Sequence, residues 1–168
     1  MKTMFTVLAA VSAIALASAT GAYAASPENK TTYEAKDNGG YEVKSSSKVE
    51  TNAGTEKTGE RNVDVDVKDN GAKSKKVTTK SATDPKGLMN GKEDKSETKM
   101  EQDVDGSSKT VKSDSHMDAN GTDVKTEVET KVDANGNVIT ETEKSVDPKG
   151  LMNKTTTTTK TVNGKVVK

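Results

Sequence analysis

The residues in this chain best suited to chemistry lie in four oxygen-rich stretches. They are DVDVKDNG, with Asp64, Asp66, Asp69 and Asn70; DVDG, with Asp103 and Asp105; DANGTD, with Asp118, Asn120 and Asp123; and DANGNVITE, with Asp133, Asn135, Asn137 and Glu141. Calcium takes roughly six to eight oxygen ligands from a compact loop, so these stretches are the natural places to look for it. The last one opens like an EF-hand loop, with Asp133, Asn135 and Asn137 at alternate positions. It then departs from that pattern, because Val138 stands where the glycine is needed and Lys144 where the bidentate glutamate belongs. The Gly-Gly-x-Gly-x-Asp nonapeptide of calcium-binding β-rolls is absent. Asx residues also build turns without any ion. The candidate ligands for a millimolar-affinity calcium ion are therefore Asp64, Asp66, Asp69, Asp133, Asn135, Asn137 and Glu141, and no other cofactor is expected.

Catalytic chemistry finds little to work with. The chain has no cysteine and one histidine, His116, in the hydrophilic run KSDSHMDANG. Nucleophilic catalysis needs a base held in a packed scaffold, and nothing around His116 suggests one. The glycines lack the Gly-Lys-Ser/Thr ending and the Gly-x-Gly-x-x-Gly spacing of phosphate loops. Paired carboxylates are plentiful, but without burial nothing drives their pKa values apart. The expectation is a protein with no catalytic residues, not an enzyme.

The elements that position these residues are legible in the turn signals. Asn-Gly occurs at 38–39, 70–71, 90–91, 120–121, 135–136 and 163–164, and Gly91, Gly106, Gly121 and Gly136 step by a constant 15 residues, as do Gly39 and Gly54. Fixed spacing of turns marks a repeat. Asn-Gly suits a type I′ hairpin, in which both central residues take positive φ. Between the turns, Val124, Thr126, Val128, Thr130 and Val132 share one parity, and Asp123, Lys125, Glu127, Glu129 and Lys131 share the other. Val138, Thr140, Thr142 and Val146 repeat the pattern opposite Ile139, Glu141 and Glu143. Period-two alternation of β-branched and charged residues predicts strands with a Val/Thr face and a charged face. The TTTTT run at 155–159 raises two further ideas, a hydroxyl array offered to ice or polysaccharide and pairing between molecules at an open edge. Solvation alone also accounts for a single such run.

The heptad DPKGLMN occurs twice, at 84–90 and 147–153. Asp-Pro-Lys-Gly fits a type I turn, and Leu-Met then offers a small apolar plug. Each copy follows an Asn-Gly turn, so the chain reads as an imperfect duplication of residues 62–91 in 128–153. Were the copies to stack, Leu88, Met89, Leu151 and Met152 would meet.

Composition bounds the rest. MKTMFTVLAAVSAIALASATGAYA pairs Lys2 with an apolar run and a small-x-small ending at Ala22-Tyr23-Ala24, the pattern of a cleavable signal peptide. The run is too short to cross a bilayer. Residues 1–24 are read as that signal, 25–60 as a polar, flexible N-terminal arm, and 61–168 as the β-repeat region. Within the last, GKEDKSETKMEQDVDGSSK is charged enough for any structure there to be weak. Beyond residue 24 stand 26 acids and 25 bases, which gives no electrostatic reason for nucleic acid as a partner. No membrane insertion is expected after cleavage.

That same span holds two leucines, one isoleucine, two tyrosines and neither Phe nor Trp. Burial returns ~25 cal/mol per Å² against ~1–2 kcal/mol of backbone entropy per residue, so a conventional core is out of reach. The expected fold is all-β if ordered: a thin antiparallel meander with Asn-Gly turns, little core and substantial disorder, or else a largely disordered chain. The corresponding function is an exported (periplasmic or extracellular) structural or interaction protein, partnered by copies of itself or by cell-surface or matrix components. The alternatives are a solvating periplasmic protein, similar to hydrophilins in composition only, and a calcium-responsive binding module.

Overall fold

A computed structural model describes residues 28–85, 91–149 and 154–167. Residues 1–24, read above as a signal, lie outside them, as do Leu88, Met89, Leu151 and Met152 of the two heptads. The described chain forms ten strands: β1 (Glu28–Ala35), β2 (Tyr41–Glu50), β3 (Glu56–Val67), β4 (Lys73–Asp84), β5 (Lys92–Gln102), β6 (Ser108–Met117), β7 (Asp123–Val132), β8 (Val138–Asp147), β9 (Thr155–Val162) and β10 (Lys165–Val167). They lie in one sheet in chain order, each antiparallel to the next, and β1 and β10 do not meet. The thin antiparallel meander is the fold.

The turn period follows directly. One strand of 10 residues plus a connection of five gives 15, as at β6, β7 and β8. Where β3 and β4 lengthen to 12 residues the step from Gly54 to Gly71 becomes 17. The two halves of the sequence duplication fall on β3–β4 and on β7–β8. The heptads therefore follow β4 and β8, four strand steps apart in the sheet.

The turn type differs from the sequence expectation. Gly39, Gly54, Gly71, Gly106, Gly121 and Gly136 have φ between +76° and +89°, while the residue before each does not. Each of these glycines donates its N–H to the carbonyl three residues back, as Gly136 does to Asp133 at 3.0 Å. That is a type I turn closed by a left-handed glycine, the usual three-residue hairpin with a bulge. Among the described residues, only Asn163-Gly164, with φ of 49° and 78°, makes the type I′ turn. The extra residue explains the difference. A type I′ link encloses two residues between its closing pair, Val162 and Lys165, whereas the others enclose three, as Lys36 and Gly40 do.

Strand pairing extends into the stretches whose composition favours it least. Residues 28–50, read as a polar arm, hold β1, paired along its length with β2 on one side, and β2, paired on both sides, and the boundary at residue 60 falls inside β3. Residues 91–109 carry β5 and the start of β6 despite their charge, and although Lys76 stands directly across from Lys99. Lys76 and Lys99 both reach Glu97, at 3.3 and 3.1 Å. Among the described residues, regular strand pairing replaces the disorder that composition suggested. Low hydrophobicity argues against a core, and this sheet has almost none to build.

Strand register sorts the side chains onto two faces. Across β7, β8 and β9 one face holds Val124, Thr126, Val128, Thr130 and Val132, then Val138, Thr140, Thr142, Lys144 and Val146, then Thr155, Thr157, Thr159 and Thr161. Only one of these fourteen positions is charged, against nine of fourteen on the reverse face. The alternation read from the sequence is thus present, and the two faces differ chemically. Nothing covers either face among the described residues, and burial is correspondingly shallow. Val43, Val49 and Ala72 are the buried hydrophobic residues. Val43 lies across from Tyr33 and Val63, beside the stacked Tyr33–Tyr41 pair with ring centroids 6.0 Å apart.

Candidate functional site

Within the oxygen-rich stretches, several residues at the turns hold those turns closed. Asp133 opens one turn, and its Oδ1 accepts the N–H groups of Asn135 at 2.8 Å and Asn137 at 2.9 Å. Its Oδ2 accepts Asn137 Nδ2 at 2.8 Å. Asp118 repeats this with Asn120 and Thr122, both at 2.9 Å. Asp105 accepts the Ser107 N–H, and Asn70 and Asn38 accept those of Ala72 and Gly40. Each side chain closes its own loop in the manner of an Asx turn. These bonds hold the Asp133 and Asp118 carboxyls below the usual range, Asp133 chiefly through Asn137 and Asp118 chiefly through Thr122.

The seven candidate calcium ligands do not converge. Glu141 stands on β8, across from Glu129 and Lys160, while Asp133 and Asn137 are engaged in the turn. Asn135 is the third residue of that turn, and Asp69 is the second residue of the turn from Lys68 to Gly71. Asp64 and Asp66 lie on one face of β3, and the ammonium of Lys36 sits between them, 2.5 Å from Asp64 and 2.7 Å from Asp66. A cation does occupy that pair of carboxylates, and the chain supplies it. No cluster of three or more His, Asp or Glu side chains suited to a metal exists among the described residues. Sequence reading missed the Lys36 clamp because its partners are 28 and 30 residues away. It missed His116 for the same reason: the ring Nδ1 lies 2.5 Å from Asp94, its cross-strand neighbour 22 residues earlier.

The charged face also carries a hollow of about 480 Å³ between β1 and β4, with Lys30, Lys44, Glu60 and Lys80 in its lining. Lys44 there is already paired with Glu42 at 2.9 Å. More distinctive is the backbone left open at the sheet's two sides. Hydrogen-bonded and non-hydrogen-bonded pairs alternate along an antiparallel ladder. Lys36 N–H donates to Gly40 at 2.9 Å, so Lys30, Thr32 and Glu34 point their backbone groups at β2. Asn29, Thr31, Tyr33 and Ala35 point theirs outward. At the other side the Val162–Lys165 pair flanks the two-residue turn and faces inward to β10. Counting back, Thr156 and Thr158 point outward past the end of β10, and no described strand meets them.

Ion pairing sets the pH response. Glu42 is held low by Lys44, Asp66 by Lys36, Glu97 by Lys99 and Asp114 by Lys112. A carboxyl with a depressed folded pKa stabilises above its unfolded pKa and loses that contribution as pH falls through the folded value. Lys36, Lys44, Lys48, Lys125 and Lys131 are raised, first by hydrogen bonds to Asp64, Glu42, Glu56, Asp123 and Glu129 respectively. Their contribution is complete below the ordinary lysine range and is lost above it. The urea midpoint should be level between about pH 5 and pH 10 and fall on both sides. A midpoint that stays level down to about pH 2.5 contradicts this assignment of the pairs.

No family model matches this chain, and neither a curated protein nor a solved structure matches it.

Proposed function

We propose that this chain is an exported, non-enzymatic structural protein of the periplasm, cell surface or extracellular matrix that associates with copies of itself through its strand edges. One observation carries the reading: a single-layer sheet whose outer strands keep open backbone on both sides among the described residues. Unpaired N–H and C=O rows are templates for another strand. Natural sheets usually blunt such rows, yet Thr155–Thr159 is five consecutive β-branched residues with no charge and no proline. The uncovered Val/Thr face adds a second contact surface for larger assemblies. The signal-like N-terminus supports export, and the thin, solvated sheet supports a structural role.

Sedimentation velocity across protein concentration tests the reading, with circular dichroism recorded on the same samples. The expected result is an average mass that rises from monomer to multimers while the β-sheet spectrum stays unchanged. A chain that remains monomeric at every concentration overturns it.

A further inference from the structure

We infer that association is head to tail: β1 of one copy docks against the open stretch of β9 of the next, so copies add in one direction and the sheet continues as a filament. This rests on the self-association proposed above and specifies its partner surface. Three features favour this pairing over its two symmetric rivals. The first is charge. From residue 154 to 167 the chain carries Lys154, Lys160 and Lys165 and no acid, while β1 carries Glu28, Glu34 and one lysine, Lys30. Opposite charges on facing strands stabilise and like charges destabilise. Two β9 edges would bring lysines together, and two β1 edges would set two net-negative strands side by side.

The second feature is shape. Among the described residues, β10 covers Lys160–Val162 of β9, so the row beside β9 is partly filled. A second β9 in that row would bring its own β10 with it and collide with the first. β1 is eight residues long with an outer side that no described strand pairs, so it can slide into the notch beside Thr155–Thr159.

The third is ladder parity. Outward groups belong to Thr156 and Thr158 on the charged face of β9, and to Asn29, Thr31, Tyr33 and Ala35 on the Val/Thr face of β1. Parallel pairing is the alignment that keeps both copies' Val/Thr faces on one side, since opposed residues in a parallel ladder point their backbone groups in opposite directions. Simple translation of the sheet produces that alignment, because β1 and β9 run the same way. An interface joining two different patches does not close on itself, which makes a filament rather than a dimer.

Each edge can be blocked separately. Proline on an edge strand is tolerated where the N–H points to solvent, as it does at Thr31 and Thr158. Thr31→Pro closes the β1 edge and Thr158→Pro closes the β9 edge. Sedimentation of each variant alone should give monomer, and an equimolar mixture should give a 1:1 dimer and nothing larger. Dimers of either variant by itself overturn the head-to-tail pairing in favour of a symmetric one. Wild-type chain that stays monomeric overturns self-association as a whole, so the two failures are distinct. Circular dichroism confirms that each variant keeps the sheet. Should proline unfold one, the charge-reversed chains E28K/E34K and K160E/K165E take its place. Each should require at least about tenfold more protein to assemble, and mixing them should restore assembly. Reversals without effect, alone or mixed, overturn the pairing.

Discussion

Gly40→Ala is expected to be the most damaging small substitution in the chain. Gly40 follows the left-handed Gly39 and is buried where the first turn meets β3. A Cβ placed on it would lie 2.1 Å from the carbonyl oxygen of Val65 and 3.1 Å from the Asp66 Cα. Both are backbone atoms locked in the β3 ladder, so neither can move aside as a flexible side chain would. Relief requires β2 to separate from β3 at that end, which would also pull Lys36 away from Asp64 and Asp66. Overpacking typically costs ~1–3 kcal/mol, more where backbone must shift, so a loss of about 3 kcal/mol or more is expected from urea denaturation. Gly39→Ala provides the contrast. Nothing lies within 4 Å of its Cβ position, but its φ is +82°, and a left-handed alanine costs ~1–2 kcal/mol. Equal losses from the two variants would show that the close approach to Val65 does not exist.

Val43→Asp is expected to be comparably severe, for a different reason. Val43 is 8% exposed and packs between Tyr33 and Val63, with Val77 next along the same rung. Removing a well-buried valine forfeits ~1.5–3 kcal/mol. Placing a carboxylate there adds the cost of desolvating a charge, only partly offset by Arg61, which stands two residues along β3 from Val63 on the same face. A total near 4 kcal/mol is expected, enough to release β1 and β2 in a sheet that has so little else to bury. Val138→Asp, on the same face but 36% exposed, should change stability by less than about 1 kcal/mol. If both substitutions are mild, no apolar patch anchors the N-terminal strands.

Much of the architecture was legible because a single-layer meander is governed by local pattern. The parity of Val124–Val132 and of Val138–Val146 specified strands and their faces, and the glycine spacing specified where they reverse. Tertiary context had little to override, since no second layer competes for either face. What escaped was of two kinds. Turn type depends on how many residues separate the last paired positions, and Asn-Gly alone does not carry that number. Asp133 and Asn135 therefore looked like ion ligands until Asp133 was seen accepting the amides of its own loop. Contacts across strands escaped as well. Lys36 with Asp64 and Asp66, and His116 with Asp94, are joined by register over distances that no short motif spans. Residues 28–50 looked loose for want of hydrophobic side chains, but Tyr33, Tyr41 and Val43 gather into one small cluster only once β1, β2 and β3 are paired.

Residue-resolved amide exchange on dilute, monomeric chain bears most directly on the claim that order here comes from a one-layer ladder of backbone hydrogen bonds rather than from an interior. Continuous protection is expected through β2 to β8, with alternation at the margins: Lys30, Thr32 and Glu34 slow beside fast Asn29, Thr31, Tyr33 and Ala35, and Thr157 and Thr159 slow beside fast Thr156 and Thr158. Uniformly fast exchange along β2 to β8, or uniform protection of β1 and of Thr155–Thr159 in the monomer, would contradict it.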